Sequence, residues 1–328
     1  MGYELLSLAD MPEGGRQEHA AVYLPPDTIA IVGGITPNAS AKVAPFSSTD
    51  LVQLYSITDD TWRTVAPLPK RLNHPNVAAA NGKIYVFGGF DDGGEERERM
   101  LAVPDSWVYD PATDAWSLIP PLQVARAQAA LAEFDGKIFV AGGFTELILN
   151  DQVPLPATLD HVSVFDTDTL TWVTDSIPEK AKHLPEPRDH ARAAVVDEKM
   201  YVIGGFNFGG FNQTDTVFVL DFQNLEAGWE TRSARMPTPR ATFASGVIGK
   251  KIYTIGGEGN STAQSVIPIG LFDEVEVYDV DSNTWTQLSP LCTPRQAPGV
   301  GVDGKVYIPG GTDTPPAGPM SALDLFLP

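Results

Sequence analysis

Half of the twelve arginines in this chain occupy one recurring place. Arg16, Arg71, Arg126, Arg188, Arg240 and Arg295 each stand 15 to 17 residues ahead of a Gly-Gly pair. A guanidinium is a planar fork of N–H donors that matches carboxylates, phosphates and enolate-like oxygens. Six of them at one repeat position in a protein of net charge −20 form a candidate anion-binding ring. Beside this ring stand His19 and His74, each three residues after its arginine, with Asn73 next to His74 and Asp189-His190 next to Arg188. Paired imidazoles on neighbouring repeats could share a substrate proton or a metal. Spacing identifies no third ligand, so no metal is expected. Glu258 directly follows Gly256-Gly257, while Asp91-Asp92 and Asp313 come shortly after their own pairs; such carboxylates can act as general bases or as salt-bridge partners. Phe90, Phe144 and Phe206 share the position after Gly-Gly and could wall a pocket or simply pack the repeats. The candidate acid–base set is therefore His74, Asp189, His190 and Glu258. The remaining residues named here, Asp92 and Asp313 apart, are candidate ligand contacts.

The elements that must position these groups are written in the glycines. Gly33-Gly34, Gly88-Gly89, Gly142-Gly143, Gly204-Gly205, Gly256-Gly257 and Gly310-Gly311 each end a short apolar run, at steps of 55, 54, 62, 52 and 54 residues. A period near 50 with strand-like contents is the mark of a propeller built from one sheet per repeat. The second repeat shows four strands. Val77–Ala80 is a small-residue inner run, Asn81-Gly82 a tight hairpin signal, and Lys83–Phe87 a β-rich second strand stopped by Gly88-Gly89. Ser106–Tyr109 and Ala115–Leu118 follow as the third and outer strands. An aromatic and a tryptophan recur seven residues apart as Tyr55/Trp62, Tyr109/Trp116, Phe165/Trp172 and Tyr278/Trp285, as core packing between blades would require. Repeat four departs, with Trp229 after a longer turn.

This pattern resembles the kelch repeat over essentially the whole chain. The resemblance implies an all-β, six-bladed kelch β-propeller with four-stranded blades. The sixth repeat stops after Ala322–Phe326, and residues 5–12 align without gaps to residues 62–69, so an N-terminal strand at about 3–11 is expected to complete the last blade. One domain spanning 1–328 follows as the expectation. First-to-second and third-to-fourth turns share one face and are short. The other face collects the long connections, about 35–48, 90–104, 144–159, 206–214 and 258–271, which could wall a pocket or merely cover the end. In kelch proteins an arginine at the recurring place can brace loops through backbone carbonyls, and in some members it also reaches an acidic partner. Both roles stay open.

The bulk of the sequence narrows the partners. A charge of −20 without a basic stripe disfavours nucleic acid and anionic membranes. The mixed cluster Glu95–Arg99 reads as a solvated loop, and no run approaches the roughly 18 to 20 apolar residues that cross a bilayer. With 30 glycines and 28 prolines the chain suits short strands and turns. The single cysteine, Cys292, excludes an internal disulfide framework and points to a reducing, cytoplasmic setting. Sequons at Asn38, Asn212 and Asn260 point weakly to secretion; no signal peptide opens the chain.

Known catalytic kelch motifs can be compared directly. Copper radical oxidases of this fold need a Cys–Tyr cross-link with two histidines, which Cys292 and five histidines do not evidently supply. The iron triad of nitrile-specifier proteins would match Glu258 but finds Thr262 and Val266 at its next two places. Sialate mutarotases share the architecture without a firm residue match. Two readings result. The first is a propeller, expected to be monomeric, that binds a partner or small acidic ligand in an arginine-rich pocket on the long-loop face. The second is a cofactor-free isomerase, epimerase or cyclase using the same pocket to stabilise an anionic intermediate.

Overall fold

The computed structural model describes residues 2–38, 46–93, 100–147, 155–208, 212–259, 270–314 and 318–328. Six four-stranded antiparallel sheets are arranged as blades in chain order. Blade two runs from its inner strand Val77–Ala80 through Lys83–Asp91 and Leu101–Asp110 to the outer strand Ala115–Ile119. The inner strands of the other blades are Ala20–Leu24, Ala130–Phe134, Arg192–Val196, Ala244–Ile248 and Val300–Val302. Small residues fill them because six inner strands must approach one axis. Blade six takes its outer strand from the N-terminus: Glu4–Ser7 pairs with Leu323–Leu327 in the register Glu4↔Leu327 to Ser7↔Asp324. That ladder joins the two ends of the described chain and covers a sheet edge.

Apolar clusters fill the spaces between adjacent blades; one joins Tyr85, Phe87, Ile138, Val140 and Phe165. The recurring aromatic–tryptophan pairs pack in tilted or edge-to-face arrangements at ring-centroid distances of 5.0 to 5.2 Å. Four outer-strand tryptophans also reach the preceding blade, with Nε1 of Trp62, Trp116, Trp172 and Trp229 donating to the carbonyls of Ala9, Ala66, Pro120 and Ala181, whereas Trp285 Nε1 is buried without a partner among the described residues. Blade four keeps this contact although a 3₁₀ turn at Leu225–Ala227 precedes a two-residue outer strand.

Gly-Gly does not end the second strand of blade two, as the sequence pattern predicts. Lys83–Asp91 runs through the pair, because Phe90 and Asp91 continue pairing with Leu101 and Ala102 beyond the blade. Three other long connections also rise as ribbons, pairing Ile35–Pro37 with Phe46–Ser48, Phe144–Leu147 with Leu155–Thr158, and Glu258–Gly259 with Gly270–Leu271. Their tips, the cluster at residues 95–99 and the Asn260 sequon lie outside the described residues.

Candidate functional site: a polar ring on the propeller axis

The loop that enters each inner strand packs against the Gly-Gly pair. One-residue β-bridges join Gln17 to Ile35, Asn73 to Phe90, Ala127 to Phe144, Asp189 to Phe206, Ala241 to Glu258 and Gln296 to Thr312. These bridges fix which residues are equivalent between blades. The residue before each bridge is Arg16, Leu72, Arg126, Arg188, Arg240 or Arg295, and its carbonyl accepts from the second glycine of the preceding blade's pair. Leu72, not Arg71, therefore holds the repeat position in blade two, and Arg71 is exposed beside it.

The five remaining arginines are at most 5% exposed, and their donors turn into the protein. Arg126 donates from Nη1 to the carbonyls of Gly142 (3.1 Å) and His161 (2.9 Å), and from Nη2 to Ser163 Oγ (3.1 Å). Arg16 bonds Leu51 O (3.0 Å) and the side chain of Gln53. Arg188 holds Glu186 (2.8 Å) and Thr216, with Phe218 beneath its guanidinium. Arg240 pairs with Glu276, both fully buried, and reaches Gly256 O (2.7 Å). Arg295 pairs with Asp324 and reaches Gly310 O. Their geometry is that of braces tying the loop to the strands behind it. A pocket walled by six arginines does not form.

A different set of side chains converges on the axis. Two residues after each ring position come Glu18, His74, Gln128, His190 and Thr242, all with φ between 50° and 54°. None is glycine and one is β-branched, so each holds a left-handed conformation that such residues seldom adopt. Their backbones are linked in a chain around the axis: His74 N–H donates to Glu18 O, Gln128 to His74, His190 to Gln128 and Thr242 to His190, at 2.8 to 3.3 Å. Ala297 occupies the sixth place without the left-handed twist. There the Gln296 side chain closes the circle by donating from Nε2 to Glu18 Oε1 (2.7 Å).

The ring side chains form an acid–base network. Asn73 donates from Nδ2 to Ser48 Oγ (2.7 Å), which points its Oδ1 at His74 Nδ1. His74 Nε2 then faces Glu18 Oε2 at 3.0 Å. Asp189, fully buried and held by Thr158 Oγ1, accepts from His190 Nδ1 at 2.6 Å. Nε2 of His190 has no hydrogen-bond partner among the described residues. The two imidazoles meet edge to face at 5.4 Å. Phe90 packs on His74 and on Phe144, each at 5.4 Å, and Phe206 packs on His190 at 5.5 Å. Glu258 completes the set, accepting from Thr242 Oγ1 at 2.7 Å. Asp91 accepts from Gly93 N–H in its own turn.

Burial and neighbouring charge split the carboxylates. Burial pushes Glu258 up, and the nearby Glu18 charge pushes it further, to about 7. Burial acts on Glu18 in the same direction, but His74, His190 and Gln296 override it and hold Glu18 well below the ordinary range. Burial opposes the charge on His190, yet its bond to Asp189 and the fields of Glu258 and Glu18 leave it raised. His19 is not the counterpart of His74. It lies one position further along, is buried, and is lowered to about 3 by burial and by Arg16.

Sequence reasoning missed Glu18, Gln128, Thr242 and Gln296, whose types carry no signal; a corrected count would have pointed to the first three. Sixteen residues back from Gly88, the spacing of repeats three to five, lies Leu72 rather than Arg71. Shifting repeat two by that one residue aligns His74 with Glu18. Among the described residues no group of three or more His, Cys, Asp or Glu has the geometry to hold a metal ion, and no helix is long and apolar enough to cross a membrane.

A family model, the KLHDC2/KLHL20/DRC7 Kelch-repeats domain, matches residues 4–205 and 152–325. Kelch-like protein terF of Aspergillus terreus is 35% identical over 301 residues, covering 90% of this chain and 61% of that protein. Beta-scruin of Limulus polyphemus is 27% identical, over 88% of this chain and 29% of its own length. The chain thus spans less than two thirds of each of these relatives. The solved structure of YjhT superposes with a TM-score of 0.77 over 96% of this chain and 95% of that one; at 17% identity this likeness concerns the fold alone.

Proposed function

The chain belongs to the kelch-repeat family, and on that premise we propose that it binds a small polar molecule at the axial ring of the propeller. One observation carries the reading: five non-glycine residues keep a costly left-handed backbone, and that twist gathers Glu18, His74, Gln128, His190 and Thr242 around one point. Brace arginines satisfied by carbonyls would not need such a ring. Ligand binding at the axis stabilises the folded protein by mass action. A thermal-shift screen with hydroxy acids and sugars is expected to give hits whose shift is lost in His190→Asn and in Glu258→Gln but kept in Arg71→Ala. Hits that keep their full shift in both ring variants would remove the ring from the site. Hits lost only with changes on the long-loop rim would favour a larger partner there.

A second reading, cofactor-free proton transfer, draws on the unequal carboxylates. Asp189 accepts from His190 Nδ1–H and, with the neighbouring carboxylates, favours the imidazolium, whose Nε2–H can give a proton, while Glu258, half protonated near neutrality, can take one. Such a pair can take a proton from carbon beside a carbonyl and restore it at another face or position, as an isomerase or epimerase does. Solvent deuterium incorporation into a bound hit, read by NMR, tests it. Wild-type exchange that falls at least 100-fold in His190→Asn is expected; a bound hit that exchanges no faster than in buffer would leave binding alone.

A further inference from the structure

Below the polar ring the inner strands enclose a cavity of about 160 Å³, lined by His19, His74, Gln128, Arg192, Ser245 and small apolar residues. It adjoins a channel of about 450 Å³ walled mainly by Ala, Val and Leu side chains and glycine backbone, continuing along the inner strands past Tyr23 and Glu133 towards the short turns. One residue breaks the repeat there. Arg192 begins the inner strand of blade four where the other blades carry Ala20, Asn76, Ala130, Ala244 and Gly299. Unlike the brace arginines, it makes a single hydrogen bond, from Nε to Phe243 O (2.8 Å). Its Nη groups have no hydrogen-bond or ion-pair partner among the described residues.

His19 supplies the second feature. Its Nε2 contacts Pro309 O at 3.1 Å, so Nε2 carries the hydrogen, and the Nδ1 lone pair is buried with no partner among the described residues. A neutral imidazole fixed this way accepts one hydrogen bond. The cavity therefore offers the two unused NH2 groups of Arg192 for an anion, one acceptor for a hydroxyl, and apolar walls. An apolar cavity of about 150 Å³ accommodates a benzene ring.

We propose that this cavity is the body of the axial site and selects a single-ring or similarly compact hydroxycarboxylic acid, its carboxylate on the Arg192 guanidinium, its hydroxyl on His19 Nδ1 and its apolar part in the channel. The inference rests on the axial reading above and names its ligand class. A charge-assisted hydrogen bond is the strongest contact the cavity can offer, which makes Arg192 the determinant of affinity.

Calorimetric titration with 3-hydroxybenzoate, benzoate and 3-hydroxybenzamide tests this. The hydroxy acid is expected to bind, benzoate several-fold more weakly, and the amide at least tenfold more weakly. Arg192→Gln should cost the acid at least tenfold and bring acid and amide level. Ser245→Leu, which fills the cavity without touching a charge, should block all three, so the proposal stays testable if Arg192→Gln fails to fold. No acid binding at millimolar concentration, an amide as tight as the acid, or a folded Arg192→Gln with wild-type affinity would overturn it. Affinity that depends on Glu258 and His190 but not on Arg192 would overturn this inference and spare the axial reading. The opposite pattern would spare the cavity and remove the ring.

Discussion

A single proton on Glu258 decides much of the chemistry at the residue scale. Its folded-state pKa lies above that of a free glutamate, so between about 4.5 and 7 the folded protein holds a proton that the unfolded chain releases. Stability is therefore lost as pH rises through that window, by about 3 kcal/mol. Glu258→Gln should raise the melting temperature at pH 8 by a few degrees and leave it nearly unchanged at pH 4.5. Equal shifts at both pH values would mean that the carboxyl is not so perturbed. Glu18 has the opposite sign: its depressed pKa stabilises above the ordinary carboxylate range and is lost on acidification. The brace arginines behave differently again. Arg240→Ala leaves the Glu276 carboxylate buried without its partner and should cost about 3–5 kcal/mol, measured by denaturant unfolding. The arginines were legible as a repeat, but their direction was not. Spacing records that a side chain recurs; whether it falls towards the axis or back into its blade depends on partners some 15 to 37 residues on, such as Ser163 for Arg126, Glu276 for Arg240 and Asp324 for Arg295.

Elements were far more legible. Gly-Gly, the hairpin dipeptides and the aromatic–tryptophan step all describe local backbone needs, and local needs are what a sequence states directly. Gly205 shows the constraint: its φ is +89°, and a Cβ there would stand 2.5 Å from Asp189 O. Gly205→Ala should therefore push on the very residue that orients His190 and weaken ligand binding at the ring along with stability. The extent of blade two was missed because pairing past Gly88-Gly89 depends on a partner a dozen residues away. The N-terminal strand was found because its sequence repeats that of another outer strand. Leu6 is 45% exposed, so its side chain contributes little, but it pairs with Leu325 in the ladder that joins the ends. Leu6→Pro removes that backbone donor and should destabilise by about 3 kcal/mol; an unchanged unfolding midpoint would show that blade six stands without its latch.

At the scale of the whole molecule, six repeats make a rigid frame and the departures from sixfold symmetry mark the site. Arg192, the Asp189–His190 pair and Glu258 each occur in a single blade and the Glu18–His74 pair bridges blades one and two, while the frame around them repeats. An overall charge of −20 surrounds the cavity residue Arg192, so an anion reaching the axis exchanges a repulsive exterior for a specific donor. The most direct test is a crystallographic soak with small hydroxy acids and neutral fragments. Density on the axis, within hydrogen-bond reach of Arg192 or of the Glu18–His74–His190–Glu258 ring, is the expected result. Fragments gathering only on the outer rim, with the axis occupied by water alone, would contradict it.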